Sequence, residues 1–490
     1  MPPLAPPTID LVPTLAALYA PNTEAHELVV LVAYCPSMVD ARARRYVYHD
    51  IDEMLRAVAP ASQKSDRPKA NYARIMRLIG AQRLCICAGR MPFVGFGEAE
   101  GDDKDERMVG QARSLAEAAL EVLPPAQRPT LLFFDDPAGV ELDHPDPRLV
   151  VRLPADALAA FPHVLHPDVH YELLSKRGLA LSGLVTPACK LIDLDGDLFL
   201  RECVDDPKAQ RARNGGSAAM EQWVVKAITL VTSEPLPFVL KLQQTTFGKG
   251  TFIVKTESDR SQLLAVLPAM LEYNLRSTNE SNLHLKAASL VITEYIACSN
   301  PASFAVTFFV NRDGSHVFVG CAKQDLEDDS SSWAGASISY LDQDRLQQHF
   351  AATVADVARF LHLRGYYGTV GIDVLEDDFG TQWVVDLNVR PPGSLVLSLL
   401  RAFLSDARGL HDARLVASTK CDLPRDALVR ALAPEFAESR VILVGWVDDL
   451  LEGGAWMSLV VSGESPSRVS DLLDRIYVLA AAGEPCYNGL

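Results

Sequence analysis

Two adjacent apolar segments in the C-terminal half of the chain constrain its fold more than any other feature. They cover residues 371–376 and 381–389, and an acidic turn that ends in glycine separates them. Their alternation of apolar and polar residues predicts two paired strands joined as a hairpin. Because side chains alternate between the faces of a strand, Asp386 and Asn388 should share one face. If the strands pair in register, Asp373 lies opposite them.

This hairpin predicts a site for a hard metal ion. Two carboxylates and a carboxamide offer only oxygen ligands, which suit Mg²⁺, an ion that usually binds few protein groups together with nucleotide phosphates. Arg390 follows closely, where its guanidinium would meet phosphate or developing negative charge. The alternative is that the acids are ordinary solvated residues beside a turn, and that Arg390 pairs with Asp386 only to shape the chain.

A loop with two glycines lies upstream between two apolar segments. The first segment carries Lys241, and the loop holds Phe247, Gly248, Lys249 and Gly250 before the apolar residues 251–254. Glycines let backbone N–H groups approach phosphate oxygens, and a lysine leaving a buried strand supplies a positive charge. No P-loop pattern is present. Taken alone, the segment is better explained as an ordinary glycine-containing hairpin with an exposed Lys249.

Two further segments carry single charged residues in apolar surroundings. Residues 289–297 form an apolar stretch with one acid, Glu294, followed by Tyr295 and Ile296. Backbone groups at such a strand end can bind a purine ring. Further upstream, Lys176 opens a predicted helix that ends near Gly183, with a Thr-Pro pair after it.

In this order and spacing, the four segments resemble the ATP-grasp superfamily of carboxylate–amine ligases. The resemblance covers residues 165–400. It implies that ATP is clasped by two lysines, a glycine-rich lid and an adenine hinge, and that Mg²⁺, or Mn²⁺ in its place, is bound by the hairpin. It also implies an oxyanion-stabilising group at and after Arg390. The implied nucleotide-binding residues are Lys176, Lys241, Phe247, Gly248, Lys249, Gly250, Glu294, Tyr295 and Ile296; the metal ligands are Asp373, Asp386 and Asn388; the catalytic residues are Arg390, Lys241, Gly393 and Ser394.

The implied fold class is α/β and α+β, with two ATP-grasp lobes. We expect a loose Pro-rich tail at residues 1–25, a small parallel α/β domain at 26–165, the ATP-grasp lobes at 166–404 and a small C-terminal α/β cap at 405–490. In the first domain, residues 28–34, 82–87 and 130–134 predict strands and 107–123 a helix. In the last, residues 440–446 and 455–461 predict strands and 465–480 a helix.

Composition excludes several classes of partner. The formal charge of −17 argues against nucleic acids and anionic membranes, which need clustered basic residues. No apolar run reaches the roughly 18 residues of a membrane span, and the N-terminus does not read as a secretory signal.

The nine cysteines lack metal-ligand spacing and predict reduced thiols in a cytoplasmic protein. The expected partners are a small-molecule carboxylate and an amine; a homodimer stays open.

The predicted reaction is formation of an amide or peptide bond through an acyl phosphate, with release of ADP and phosphate. The nearest resemblance is to the pheganomycin-type stand-alone peptide ligases of secondary metabolism, which implies amino acids or a small peptide as substrates. The segment 321–336, with its acids and Trp333, predicts either a loop that binds the ammonium group of an amino acid or a solvated acidic loop.

Two alternatives to the ligase function remain. One is an ATP-grasp kinase, which the acidic charge disfavours. The other is a nucleotide-binding regulatory protein, which the lack of an acid for the ribose after the hinge favours.

Overall fold

The computed structural model describes residues 8–34, 45–49, 67–97, 106–196, 218–245, 250–298, 303–326 and 333–481. Within these ranges the strands form three sheets, two with four strands and one with eight. The six cysteines in the described ranges are free thiols. In the same part of the chain, no helix has the length and apolarity that crossing a membrane requires.

The first sheet is parallel throughout, in the order β3-β2-β1-β4. Its strands are short and apolar, as parallel strands usually are; β1, for example, reads Leu-Val-Val-Leu-Val. The predicted parallel α/β unit is therefore present. Its elements are α1 (Leu15–Tyr19), β1 (Leu28–Val32), α2 (Arg67–Cys87), β2 (Phe93–Phe96), α3 (Glu106–Leu120), β3 (Leu131–Phe134) and β4 (Pro147–Val151).

The strand predicted at residues 82–87 is wrong, because these residues end the long helix α2. A short apolar run cannot be distinguished from a buried helix segment by its periodicity alone. The helix continues the apolar spacing of Ile75 and Ile79, which are both buried. Gln82 lies on the same helix, and its side chain donates to the Trp446 carbonyl at 3.1 Å and accepts from the Trp446 N–H at 3.0 Å.

The second sheet is antiparallel, in the order β5-β8-β6-β7. Two long helices, α6 and α7, share an apolar core with it that includes Trp223, Leu240 and Leu267. Thr256 and Asp259 form a capping box that fixes the start of α7. The elements are α4 (Pro167–Leu173), α5 (Lys176–Ala180), β5 (Cys189–Ile192), α6 (Ala218–Ser233), β6 (Phe238–Leu242), β7 (Thr251–Val254), α7 (Glu257–Arg276) and β8 (Leu290–Glu294).

The third sheet is antiparallel and has the order β13-β12-β9-β10-β11-β14-β16-β15. The C-terminal strands β14–β16 continue this sheet, because β14 pairs with β11 from Gly335 opposite Val416 to Ser339 opposite Asp412. The elements are β9 (Ser303–Val310), β10 (His316–Leu326), β11 (Trp333–Ser339), α8 (Gln343–His349), α9 (Ala351–His362), β12 (Gly368–Glu376), β13 (Gln382–Asn388), α10 (Leu395–Leu399), β14 (Asp412–Cys421), α11 (Arg425–Ala431), α12 (Ala433–Ala437), β15 (Val441–Asp448), β16 (Ala455–Gly463) and α13 (Pro466–Ala480).

Much of the segment predicted as a loop at residues 321–336 is strand. Lys323 pairs with Ser337 and Asp325 with Gly335 where β10 meets β11, and residues 327–332 lie outside the described ranges. Asp325 forms an ion pair with Arg414, because its carboxylate accepts a hydrogen bond from Arg414 Nε at 2.7 Å. It is therefore a neutralised residue of the sheet and not a free acid for an ammonium group.

Candidate active site

The hairpin predicted from sequence is formed by β12 and β13. Asp373 lies opposite Asp386, and Gly371 lies opposite Asn388, in the register that the alternation predicted. A register shift follows Asp373, and β12 pairs on its other side with β9. The Gln324 side chain on β10 forms a hydrogen bond with Asp373. The sequence did not identify Gln324, because its strand was predicted as a loop.

The two facing carboxylates do not hold their charges equally. Burial raises the pKa of Asp373, and the neighbouring charge of Asp386 raises it further. Burial also acts to raise the pKa of Asp386, but the ammonium group of Lys176 outweighs it and the net pKa is lowered. A cation between the two carboxylates would relieve their repulsion, and the donor set of two carboxylates and the Asn388 amide oxygen is the set that Mg²⁺ prefers. The residues therefore fit a divalent hard cation.

Lys176 meets this hairpin from the start of α5. Ser175 caps the helix by accepting from Gly178 N–H, and a Cβ on Gly178 would lie 2.2 Å from the Glu172 carbonyl oxygen. This tight turn directs Lys176 Nζ to Asp386 Oδ1, at 2.5 Å. The lysine predicted to bind phosphate thus lies beside the predicted metal ligands, where a metal-bound phosphate would need it.

Lys241 approaches the same hairpin from the second sheet. It is only 9% exposed on β6, and its Nζ donates to the Val385 carbonyl on β13 at 2.8 Å. Burial lowers the pKa of Lys241 to about 8, and the charge of Lys176 lowers it as well, while Asp386 and Asp373 act in the opposite direction. Two lysines and two acids therefore converge between the second sheet and the third.

The glycine-containing loop is described only at its ends. Phe247, Gly248 and Lys249 lie outside the described residues. Gly250 has a φ of +83°, and a Cβ there would lie 2.5 Å from the Thr245 side chain, so the position requires glycine. At the other end of the loop, the Gln244 side chain donates to the Tyr171 carbonyl at 2.8 Å.

The predicted adenine hinge follows β8. Glu294 is exposed, and its backbone N–H donates to the Ala188 carbonyl at 2.9 Å. Tyr295 and Ile296 are half-buried, and the Lys255 ammonium lies 5.0 Å from the centre of the Tyr295 ring. Lys255 was not identified from sequence, because it belongs to the distant turn between β7 and α7. Residues 299–302, which follow this hinge, lie outside the described residues.

Arg390 contacts Asn388, one of the predicted metal ligands on the hairpin. Its Nη2 donates to Asn388 Oδ1 at 2.9 Å, whereas the sequence considered Asp386 as its partner. The backbone beside it is fixed by His170, whose Nε2 donates to the Val389 carbonyl at 2.7 Å. Burial lowers the pKa of His170 to about 4, so the imidazole is neutral at physiological pH. The guanidinium is thus held in line with the Asn388 carboxamide.

Gly393 and Ser394 form the turn that follows Arg390. A Cβ on Gly393 would lie 2.7 Å from the Trp333 ring, and one on Gly371 would lie 3.0 Å from Pro392. The turn is therefore pressed between β12 and the tryptophan that opens β11. Ser394 is buried there. Trp333 borders this turn. The sequence predicted it as part of a loop in which it could stack on a substrate ammonium group.

Comparison with known proteins gives structural neighbours only. No protein-family model matches the chain, and no curated protein matches it. The structure is similar to N5-carboxyaminoimidazole synthetase from Staphylococcus aureus complexed with ADP, at 10% identity and a TM-score of 0.46, over 82% of this chain and 94% of that one. It is similar to carboxyaminoimidazole ribonucleotide synthase from Aspergillus clavatus complexed with ATP, at 11% identity and a TM-score of 0.44, over 94% of this chain and 100% of the other.

A third neighbour is the biotin carboxylase domain of the Hydrogenobacter thermophilus 2-oxoglutarate carboxylase. It shares 12% identity and has a TM-score of 0.43, over 91% of this chain and 89% of that domain. The structures of all three neighbours contain ADP or ATP. At TM-scores of 0.43 to 0.46 the likeness describes overall similarity and assigns no activity to this chain.

Proposed function

We propose that this chain is an ATP-dependent carboxylate–amine ligase that uses Mg²⁺ and forms an amide or peptide bond. The observation that carries the proposal is the convergence on one hairpin of Asp373, Asp386 and Asn388 with two lysines from other elements. Facing acids such as Asp373 and Asp386 repel one another in a partly buried site, and this costs free energy that a bound cation would recover. A metal-bound nucleotide is the ligand whose charges match both sets.

Each group has a definite task in this proposal. Asp373, Asp386 and Asn388 would hold Mg²⁺, or Mn²⁺ in its place, and the ion would neutralise phosphate charge. Lys176 and Lys241 would exchange their present partners, Asp386 and the Val385 carbonyl, for phosphate oxygens. The remaining nucleotide contacts are assigned to the loop Phe247, Gly248, Lys249 and Gly250 and to the hinge Glu294, Tyr295 and Ile296.

The reaction has two steps. A carboxylate oxygen of the first substrate attacks the γ-phosphorus of ATP, and the bond from that phosphorus to the bridging oxygen breaks to release ADP. The amine nitrogen of the second substrate then attacks the acyl carbon, the carbon–oxygen bond to phosphate breaks, and the amine loses a proton to solvent. Arg390 and the backbone N–H groups of Gly393 and Ser394 would stabilise the oxyanion formed between these events.

The substrates are proposed to be amino acids or a small peptide, in line with the resemblance to peptide ligases of secondary metabolism. The test is incubation of the full chain with Mg-ATP and pooled amino acids, with ADP and phosphate measured and products weighed by mass spectrometry. ADP release that depends on particular amino acids, with a product lighter by one water than their sum, supports the ligase. A product heavier by one phosphoryl group replaces it with a kinase. ATP binding without turnover on any pool overturns the ligase proposal in favour of a regulatory nucleotide-binding protein.

The Asn388→Ala variant tests whether the hairpin contributes to turnover independently of its contribution to folding. This variant removes one oxygen ligand and the acceptor of Arg390, so we expect turnover to fall by about a hundredfold or more, the range for a lost preorganised polar group. The matched control is Asp378→Asn, which lies in the exposed turn of the same hairpin. Equal turnover of the two variants, with both folded by circular dichroism, would contradict the assignment of the hairpin as the metal site.

A further inference from the structure

A small cleft lies between the first unit and the turn that follows Arg390. The cleft is open on one side, and its volume of about 320 Å³ includes the solvent at its mouth. One wall is α2, with Gly80 and Arg83; a second is Arg152, directly after β4; the third is the turn with Pro392 and Gly393. The cleft therefore adjoins the candidate active site and shares with it the turn that contains Gly393.

Two arginines face this cleft without a carboxylate to balance them. Among the described residues, neither Arg83 nor Arg152 forms an ion pair. Arg83 donates from Nη1 to the Ala417 carbonyl at 2.8 Å, and its guanidinium lies 5.5 Å from the centre of the Trp333 ring. For Arg152, no hydrogen bond to the described part of the chain is present.

The two positive charges act on one another. Burial lowers the pKa of Arg83 to about 10, and the charge of Arg152 lowers it as well. Like charges held together in a partly dry cleft cost free energy that an anion would recover. Arginine is also the side chain whose planar fork best matches carboxylate and phosphate oxygens.

The turn separates this cleft from the phosphate and metal groups. Pro392 packs against Gly371 on β12, while Gly393 packs against Trp333, whose ring also lies beside Arg83. A substrate bound across the turn would thus place one end near Arg390 and another end near the two arginines.

We propose that Arg83 and Arg152 form an oxyanion subsite that binds a carboxylate or phosphate at the end of the substrate remote from the bond being formed. This proposal rests on the proposed ligase function, because the anion bound here would be a second acidic group of the ligase's substrate. Its chemistry, the binding of an oxyanion by two arginines, is measurable without turnover. The anion itself undergoes no reaction there.

The experiment measures binding of succinate and of inorganic phosphate, separately, to the full chain by calorimetry. Saturating Mg-ADP is present so that the nucleotide groups are occupied. Arg152→Gln is the main variant, because Arg152 forms no hydrogen bond or ion pair with the described part of the chain. Arg90→Gln is the control, because Arg90 is an exposed arginine just after α2 and does not line the cleft. We expect the wild type and Arg90→Gln to bind one of the anions and Arg152→Gln to bind it about tenfold or more weakly.

Arg152→Lys provides a further check, because it keeps the charge but loses the fork. Partial recovery of binding in this variant supports the subsite. Tighter binding of succinate than of phosphate identifies a carboxylate as the group, and the reverse identifies a phosphate. Equal affinity of wild type and Arg152→Gln for both anions, or no saturable binding by the wild type, overturns the subsite. Failure of the ligase function shows instead as absent ADP release with anion binding intact.

Discussion

At the scale of single residues, burial decides which groups near the site carry charge. Burial lowers the pKa of Lys241 to about 8 and that of His170 to about 4, and it raises the pKa of Asp373. A group that stays charged here is stabilised by a specific neighbour, as the Asp386 carboxylate is by the Lys176 ammonium. A site built in this way binds a ligand by exchanging internal partners for external ones, which keeps the net desolvation small.

His170 gives a prediction for the pH dependence of stability. The unfolded chain takes up a proton at this residue below about pH 6.5, whereas the folded chain, with a pKa of about 4, does not until the pH is much lower. Stability from this residue is therefore complete above about pH 6.5 and is lost as the pH falls towards 4, by about 2 kcal/mol at pH 5.

The measurement is urea unfolding of wild type and His170→Gln at pH 7 and pH 5. Glutamine can still donate to the Val389 carbonyl but does not titrate. The free energy of unfolding should fall by about 2 kcal/mol less in the variant than in the wild type over this interval. An identical pH dependence of the two proteins would show that His170 is not buried as a neutral group.

The residues of the hairpin were predictable because a strand has a side-chain period of two. That period alone places Asp386 and Asn388 on one face, and the short turn places Asp373 opposite. Gln324 and Lys255 were not predictable, because each reaches the site from an element that is distant in sequence. Arg83, which lines the adjoining cleft, was missed for the same reason. No local pattern in one sequence records such a contact.

At the scale of secondary-structure elements, local pairing is again what separates the successful predictions from the others. The strands β6, β7, β12 and β13 are bounded by glycines and turns, and the sequence placed them correctly. The strand predicted at residues 82–87 failed because α2 begins far upstream, and its last residues are apolar on every side. The extension of β10 and β11 was missed because their residues Asp325 and Lys323 are charged; pairing between strands compensates for that low propensity.

The glycine-containing loop between β6 and β7 gives a prediction at this scale. Alanine at Gly250 would take a positive φ and place its Cβ 2.5 Å from the Thr245 side chain. Gly380 has a φ of +80° but nothing within 4 Å of its Cβ, so Gly380→Ala carries the conformational cost alone. That cost is about 1 kcal/mol.

We expect Gly250→Ala to weaken Mg-ADP binding by about tenfold, because the loop must move away from its present path. Gly380→Ala should lose stability without losing affinity. Calorimetric titration of both variants with Mg-ADP, after their folding is checked by thermal unfolding, measures the difference. Unchanged nucleotide affinity in Gly250→Ala would remove this loop from the binding site.

At the scale of the whole molecule, the eight-stranded sheet joins regions that the sequence divided. The boundary predicted between residues 404 and 405 stays a prediction for domain organisation, but the strands on either side of it share a sheet through β11 and β14. The first unit is attached to the same region, since Gln82 on α2 exchanges two hydrogen bonds with Trp446 on β15. Non-local pairing of this kind leaves no signal in a single sequence.

This continuity predicts that β9–β13 and β14–β16 unfold together. Gly335 lies where β11 meets β14, and a Cβ there would lie 2.0 Å from the Leu415 carbonyl oxygen, so Gly335→Ala must separate the two strands. Such overpacking should cost about 3 kcal/mol. In one cooperative sheet, that loss raises the hydrogen-exchange rates of amides on both sides of the junction by the same factor, because they share one opening reaction.

Exchange measured by mass spectrometry on Gly335→Ala tests this prediction. Gly110→Ala is the control, because nothing lies within 4 Å of its Cβ. Faster exchange confined to β14–β16 would instead make the C-terminal strands an independent unit, and the active-site hairpin would then owe none of its stability to them.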